Sequence, residues 1–214
     1  MMKEDKVPFG KSLILVNGAV PLGLLIWDQA HGRLGANPQN FLILTTGMMT
    51  LIFLMLTLAV TPLRKITGWN GLIQFRRILG LYAFFYGCLH FLCFFSLDRG
   101  FSVSSTLAEM VKRKYLILGS AALLLMIPLA ITSTNAMIKR LGGKRWRALH
   151  RLVYIAGICG VIHYYMQVKA DVRLPLTFAA VLALLLGYRL FASRRPPRPL
   201  PTASVPKPAN GNLT

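Results

Sequence analysis

Six long, mostly apolar stretches divide this chain, near Ser12–Trp27, Phe41–Leu63, Ile78–Leu97, Tyr115–Thr132, Leu149–Val168 and Leu174–Phe191. A helix needs roughly 20 mostly apolar residues to cross the hydrocarbon core of a bilayer. Lipid offers the backbone no hydrogen bonds, so a spanning segment must satisfy its own. The pattern therefore predicts an all-α membrane protein, a bundle of six transmembrane helices. A formal charge of +19 could point to nucleic acid, but only 14% of the residues are charged. Soluble domains carry about 25%, so a soluble basic nucleic-acid binder is excluded and the charge belongs in loops. The first stretch is the weakest of the six, interrupted by Asn17, Gly18 and Pro21. It also has the basic start and small-residue end (Leu34-Gly35-Ala36) of a cleavable leader.

The distribution of Lys and Arg sets the expected orientation. The N-terminus, the second and fourth loops and the C-terminal segment hold 18 of the 25 basic residues, and the alternate side holds 7. Both termini are thus expected in the cytoplasm. The run Lys112-Arg113-Lys114 is the one feature pulling the other way. Residues 1–193 form the expected membrane domain. The segment 194–214, rich in proline, is expected to be a flexible cytoplasmic tail. Three cysteines without CxxC spacing exclude a disulfide scaffold and a thiolate zinc site.

Ionisable groups inside a membrane are costly and mark function. Here the candidates are His90 in the third span and His163 in the fifth, with His150 at the inner mouth of the fifth. Third and fifth spans run in the same direction. At 1.5 Å per residue, His90 lies roughly 18 Å deep and His163 roughly 21 Å. A lone membrane histidine is usually a packing residue. Two at matched depth suit the two axial ligands of one b-type haem. Gly87 and Gly160 each precede a histidine by three residues, on the same helical face, where a side chain would meet a porphyrin. Tyr82, Phe84, Phe85, Tyr86, Phe91, Phe94 and Phe95 could supply an aromatic wall. His150 precedes His163 by 13 residues, a plausible gap between stacked haems, but a 13-residue step turns the side chain to another face. A bulge near Gly157 or Gly160 would be needed to correct it. On the third span the equivalent inner slot is Arg76.

With these histidines in place, the chain resembles the ferric reductase-like transmembrane superfamily, and within it the MsrQ family of bacterial membrane proteins. The resemblance rests on Gly68-Trp69-Asn70-Gly71, on Arg76 through Tyr82 with His90, and on Arg145 through Tyr154 with His163. It covers nearly all of the chain outside the tail. It implies a multi-pass protein of the bacterial inner membrane that carries electrons on haem b. The donor would be the quinone pool or a cytosolic flavin reductase. The acceptor would be a periplasmic MsrP-type molybdoenzyme that repairs oxidised methionines in proteins. The sequence has no GxGxxG motif, so the electrons must come from elsewhere. Arg76 departs from the four-histidine pattern of the superfamily, because a guanidinium only donates and cannot ligate iron. His150 is then either the ligand of a second inner haem or a residue that helps place an inner cofactor. Arg76 and Arg77 with Trp146 would suit FMN, by pairing phosphate and stacking on an indole. The alternative is an ordinary basic cluster with an interfacial tryptophan. Two rival functions also fit an apolar bundle: a cofactor-free membrane anchor for a periplasmic enzyme, and a metal or haem transporter.

Overall fold

A computed structural model describes residues 6–194, with side chains over 9–192. The tail expected over 194–214 lies, past Arg194, outside the described residues. Among the described residues the chain is helical, with no strand. The long helices are α1 (Lys6–Ala30), α2 (Pro38–Thr67), α3 (Phe75–Cys93), α5 (Lys114–Ile131), α8 (Leu152–Gln167) and α9 (Arg173–Arg194). Three short ones lie between them: α4 (Val103–Lys112), α6 (Asn135–Leu141) and α7 (Gly143–Leu149).

Local chemistry sets several of these ends. The Asn37 side chain accepts from the Asn40 N–H and Pro38 opens the first turn of α2. Gly68 closes α2 in the left-handed conformation, at φ 68°, where a side chain would be strained. Thr134 and Ser102 cap α6 and α4 through their hydroxyls. A 3-10 turn leads into α3, and a π-helical turn, Phe94–Asp98, follows it one turn after His90. Such turns recur at functional sites.

Among the described residues five helical segments are long and apolar enough to cross a membrane. The sixth expected span differs. Its helix α8 has 16 residues, about 24 Å of rise, short of the roughly 30 Å core. The reason is a break at His150 and Arg151, which separates α7 from α8, so His150 sits in a junction and not on the span. No bulge occurs at Gly157 or Gly160, through which α8 runs as a continuous α-helix.

The core is built from two helix pairs, α2 with α3 and α5 with α8. Tyr86, Leu58, Ala83 and Ala156 are fully buried between them. Outward-facing Leu, Ile and Val are exposed around the perimeter, which suits lipid as solvent. The interruption that weakens the first span is where α3 docks on it. Pro21 lacks an N–H and disturbs the ladder of α1. The Tyr86 hydroxyl donates to Gly18 O at 2.8 Å and accepts from the Leu22 N–H at 3.2 Å. The two groups are the acceptor and donor of one i to i+4 pair of the helix. Tyr82 donates to Leu15 O beside it. A Cβ on Gly18 would lie 2.4 Å from the Tyr82 ring, so the contact needs glycine.

Between α3 and α5, Arg99 pairs with Asp98 at 2.7 Å and with Glu109 at 3.2 Å, and Arg113 pairs with Glu109. The middle residue of the anomalous Lys112–Lys114 run is therefore partly neutralised within the protein.

Candidate functional site

The two helix pairs place His90 and His163 together. His90 comes from α3 and His163 from α8, and their ring centroids lie 6.0 Å apart with planes at 81°. Each ring is anchored by the partner helix of its pair. His90 Nδ1 lies 2.8 Å from Ile43 O on α2, and His163 Nδ1 lies 2.7 Å from Tyr115 O on α5. A carbonyl only accepts, so each Nδ1 carries the proton and donates. Among the described residues Nε2 of each ring has no hydrogen-bond partner, and it is the ring's lone-pair nitrogen.

Both histidines line one cavity of about 230 Å³. Its walls include Gly47, Leu51, Phe91, Phe94, Leu116, Gly119 and Leu123, and its mouth carries Asn40, Asp98 and Arg113. Of the aromatic wall expected from sequence, Phe91 and Phe94 take part. Tyr82 and Tyr86 are committed to α1, and Phe84 faces the other cavity described below. Gly87 and Gly160 line the histidine cavity, yet a Cβ on Gly87 would meet Leu123 and Thr50, and one on Gly160 would meet Leu51. Close helix packing thus uses both as well. Sequence reasoning missed the glycines that touch the histidines. Gly47 and Gly119 sit on other helices, far away in sequence, so no spacing around His90 or His163 reveals them.

A second cavity, of about 250 Å³, gathers the other candidates: Arg76, Arg77, Trp146 and His150, with Thr57, Ser133 and Val153. Arg76 thus shares a cavity with His150, as the slot counting predicts. Several polar groups here are engaged with the protein. His150 Nε2 is 3.1 Å from the Thr132 hydroxyl, and its ring stacks on Trp146 at 3.9 Å. The Trp146 indole N–H donates to Thr132 O at 2.9 Å. Arg77 donates to Asn135 Oδ1 at 2.5 Å.

Arg189, which the sequence assigns to the tail-side charge, is a further residue of this end. It reaches from α9 to donate to Tyr154 on α8, and to Leu58 O at 2.9 Å and Thr61 at 3.3 Å on α2. Its guanidinium lies 5.0 Å from the Tyr154 ring centre, the range of a cation–π contact. It ties three helices together. Its position one turn from the end of an apolar run is the only signal that sequence offered. Among the described residues no group of three or more His, Cys, Asp and Glu forms a metal-binding cluster.

Comparison with known proteins gives the family. Residues 44–161 match the family model of the ferric reductase like transmembrane component, a stretch that contains His90 and His150 and ends two residues before His163. A protein-methionine-sulfoxide reductase heme-binding subunit MsrQ of Herminiimonas arsenicoxydans is 48% identical, over 85% of this chain and 84% of its own length. The MsrQ of Ralstonia nicotianae is 51% identical over 80% of each chain. That of Rhodospirillum rubrum is 47% identical over 90% of this chain and 92% of its own. The chain belongs to the MsrQ family, within the ferric reductase-like transmembrane proteins.

Proposed function

We propose that this protein is the haem-binding membrane subunit of a protein-methionine-sulfoxide reductase system, with one b-type haem ligated by His90 and His163. The observation that carries the reading is the pair of imidazoles, each anchored at Nδ1 with Nε2 unpartnered, 6.0 Å apart across an apolar cavity. Metal–imidazole bonds of about 2 Å place the centroids of two opposed ligand rings roughly 6 Å apart. The residues present therefore fit the group. When bound, haem supplies one-electron redox chemistry.

The protein's own work is to fix the two rings, wall off water and bury the site. The partner helices hold each imidazole in the Nδ1–H tautomer, which keeps Nε2 available and makes it a stronger donor. Leu51, Phe91, Leu116 and Leu123 keep the surroundings apolar. In this reading six helices cross the bacterial inner membrane, the short α8 among them, with both termini in the cytoplasm. The basic asymmetry of 18 to 7 supports that orientation. Electrons from the quinone pool or a cytosolic flavin reductase would pass to a periplasmic MsrP-type molybdoenzyme docking near the outer cavity.

The test is the dithionite-reduced absorption spectrum of the purified protein. A b-type spectrum is expected, lost in both His90→Ala and His163→Ala. A protein expressed with ample haem that shows no such spectrum would be a cofactor-free anchor instead.

The inner cavity favours a second role, placement of an inner cofactor such as FMN beside Arg76, Arg77 and Trp146. Their convergence with His150 on one cavity supports it. Arg76 leaves His150 without an opposing imidazole, so a second haem there would lack the ligand pair of the outer site. Flavin released by denaturation should fall severalfold in Arg77→Ala; equal flavin in the two proteins would remove Arg77 from the site.

A further inference from the structure

The two histidine anchors share one construction. On α2 the accepting carbonyl is Ile43 and the residue one turn later is Gly47. On α5 the carbonyl is Tyr115 and the residue one turn later is Gly119. In a helix the side chain at i+4 leans back toward the N-terminus and covers the carbonyl of residue i. That carbonyl already accepts the i+4 N–H, and on α2 the Thr46 hydroxyl, shared with Leu42 O, also lies 3.0 Å from Ile43 O, so little room is left for a further donor. A ring can reach it only if i+4 leaves the way open. The distances agree. A Cβ on Gly47 would lie 3.0 Å from His90 Cε1 and Nδ1, and a Cβ on Gly119 would lie 2.7 Å from His163 Nδ1. Both would strike the ring at the atoms that make or flank the carbonyl bond.

We propose that Gly47 and Gly119 are positioning residues that let His90 and His163 lie against the neighbouring helices, so that each Nδ1–H reaches its carbonyl and each Nε2 is presented to a shared iron. This inference rests on the haem reading above. Loss of an outer hydrogen bond to a ligating histidine typically costs 10–100-fold in metal affinity. Gly119→Ala should therefore weaken haem binding by about 10-fold or more, and Gly47→Ala by less, following the tightness of the two contacts. The Nδ1–H bond also raises ligand basicity and favours ferric iron. The haem midpoint potential should thus rise in both variants, and the low-spin ferric resonance should shift as the ring planes turn.

Gly23→Ala and Gly187→Ala are the controls, since a Cβ at either meets nothing within 4 Å. They should bind haem like the parent protein. Haem titration, redox potentiometry and electron paramagnetic resonance on the detergent-purified variants read all three effects. A Gly119→Ala protein that fails to fold is handled by a double-mutant cycle with His163→Gly. With the ring removed, the added methyl should be tolerated and folding restored. If Gly119→Ala misfolds equally with and without the ring, the glycine does not serve the histidine and the proposal is overturned. It is also overturned if both cradle variants keep parental affinity, potential and resonance while His90→Ala and His163→Ala lose the haem. Retention of haem in the histidine variants would instead overturn the ligation reading beneath it.

Discussion

The two ends of this bundle use similar residues to opposite effect. At the end that the proposed orientation places outside, two imidazoles come from two helix pairs, each held at Nδ1 by a backbone carbonyl, and among the described residues each leaves Nε2 without a partner. At the inner end, one imidazole faces an arginine, and its Nε2 lies against the Thr132 hydroxyl with Trp146 stacked on the ring. In the proposed reading the outer end holds an iron between its two rings. The inner end spends His150 Nε2, the Trp146 N–H and the Arg77 guanidinium on contacts within the protein. Having histidines in a membrane bundle is thus not enough; what decides is which ring nitrogen the protein leaves free.

The largest expected effect breaks the comparison outright. Replacing His90 or His163 by alanine should abolish the b-type spectrum, whereas His150→Ala should keep the outer haem. Equal loss in all three would mean that the two ends act as one site. A second substitution sharpens the contrast. Arg76→His puts an imidazole across the cavity from His150, and the haem-to-protein ratio of the purified variant should rise above the parent's. An unchanged ratio would show that Arg76 is not what limits ligation at the inner end.

The smallest effect concerns the inner network. Thr132→Val removes the hydroxyl beside His150 Nε2 and leaves the Trp146 bond to the backbone carbonyl in place. It should cost about 1 kcal/mol of stability, the usual net value of one hydrogen bond. The outer haem spectrum should not move. A shift of that spectrum would reveal coupling between the two ends.

Much of this molecule was legible before its fold was known, and the particular misses share a cause. Apolar run length found the long helices, and matched depth predicted that His90 and His163 lie close together, as they do, because both depend on local periodicity along one chain. Slot counting placed Arg76 with His150 for the same reason. Gly47, Gly119 and Arg189 were missed because their roles are contacts between helices distant in sequence. Gly47 acts on a residue 43 positions later, and Arg189 on Leu58 and Tyr154. The break at His150 was missed because nothing in Ala148-Leu149-His150-Arg151 is a helix breaker. His150 is instead held where it stands by Thr132 and Trp146, contacts that only the folded chain provides. Conversely, Asn17, Gly18 and Pro21 looked like a weakness in the first span. The same stretch is where Tyr82 and Tyr86 dock, on Leu15 O, Gly18 O and the Leu22 N–H.

The central claim is that one iron sits between His90 and His163. Low-temperature electron paramagnetic resonance of the purified ferric protein tests it most directly. Two imidazoles with planes near the observed 81° should give a low-spin, strongly anisotropic signal that disappears when either histidine is replaced by alanine. A high-spin signal in the parent protein, or a low-spin signal that survives both substitutions, would contradict it.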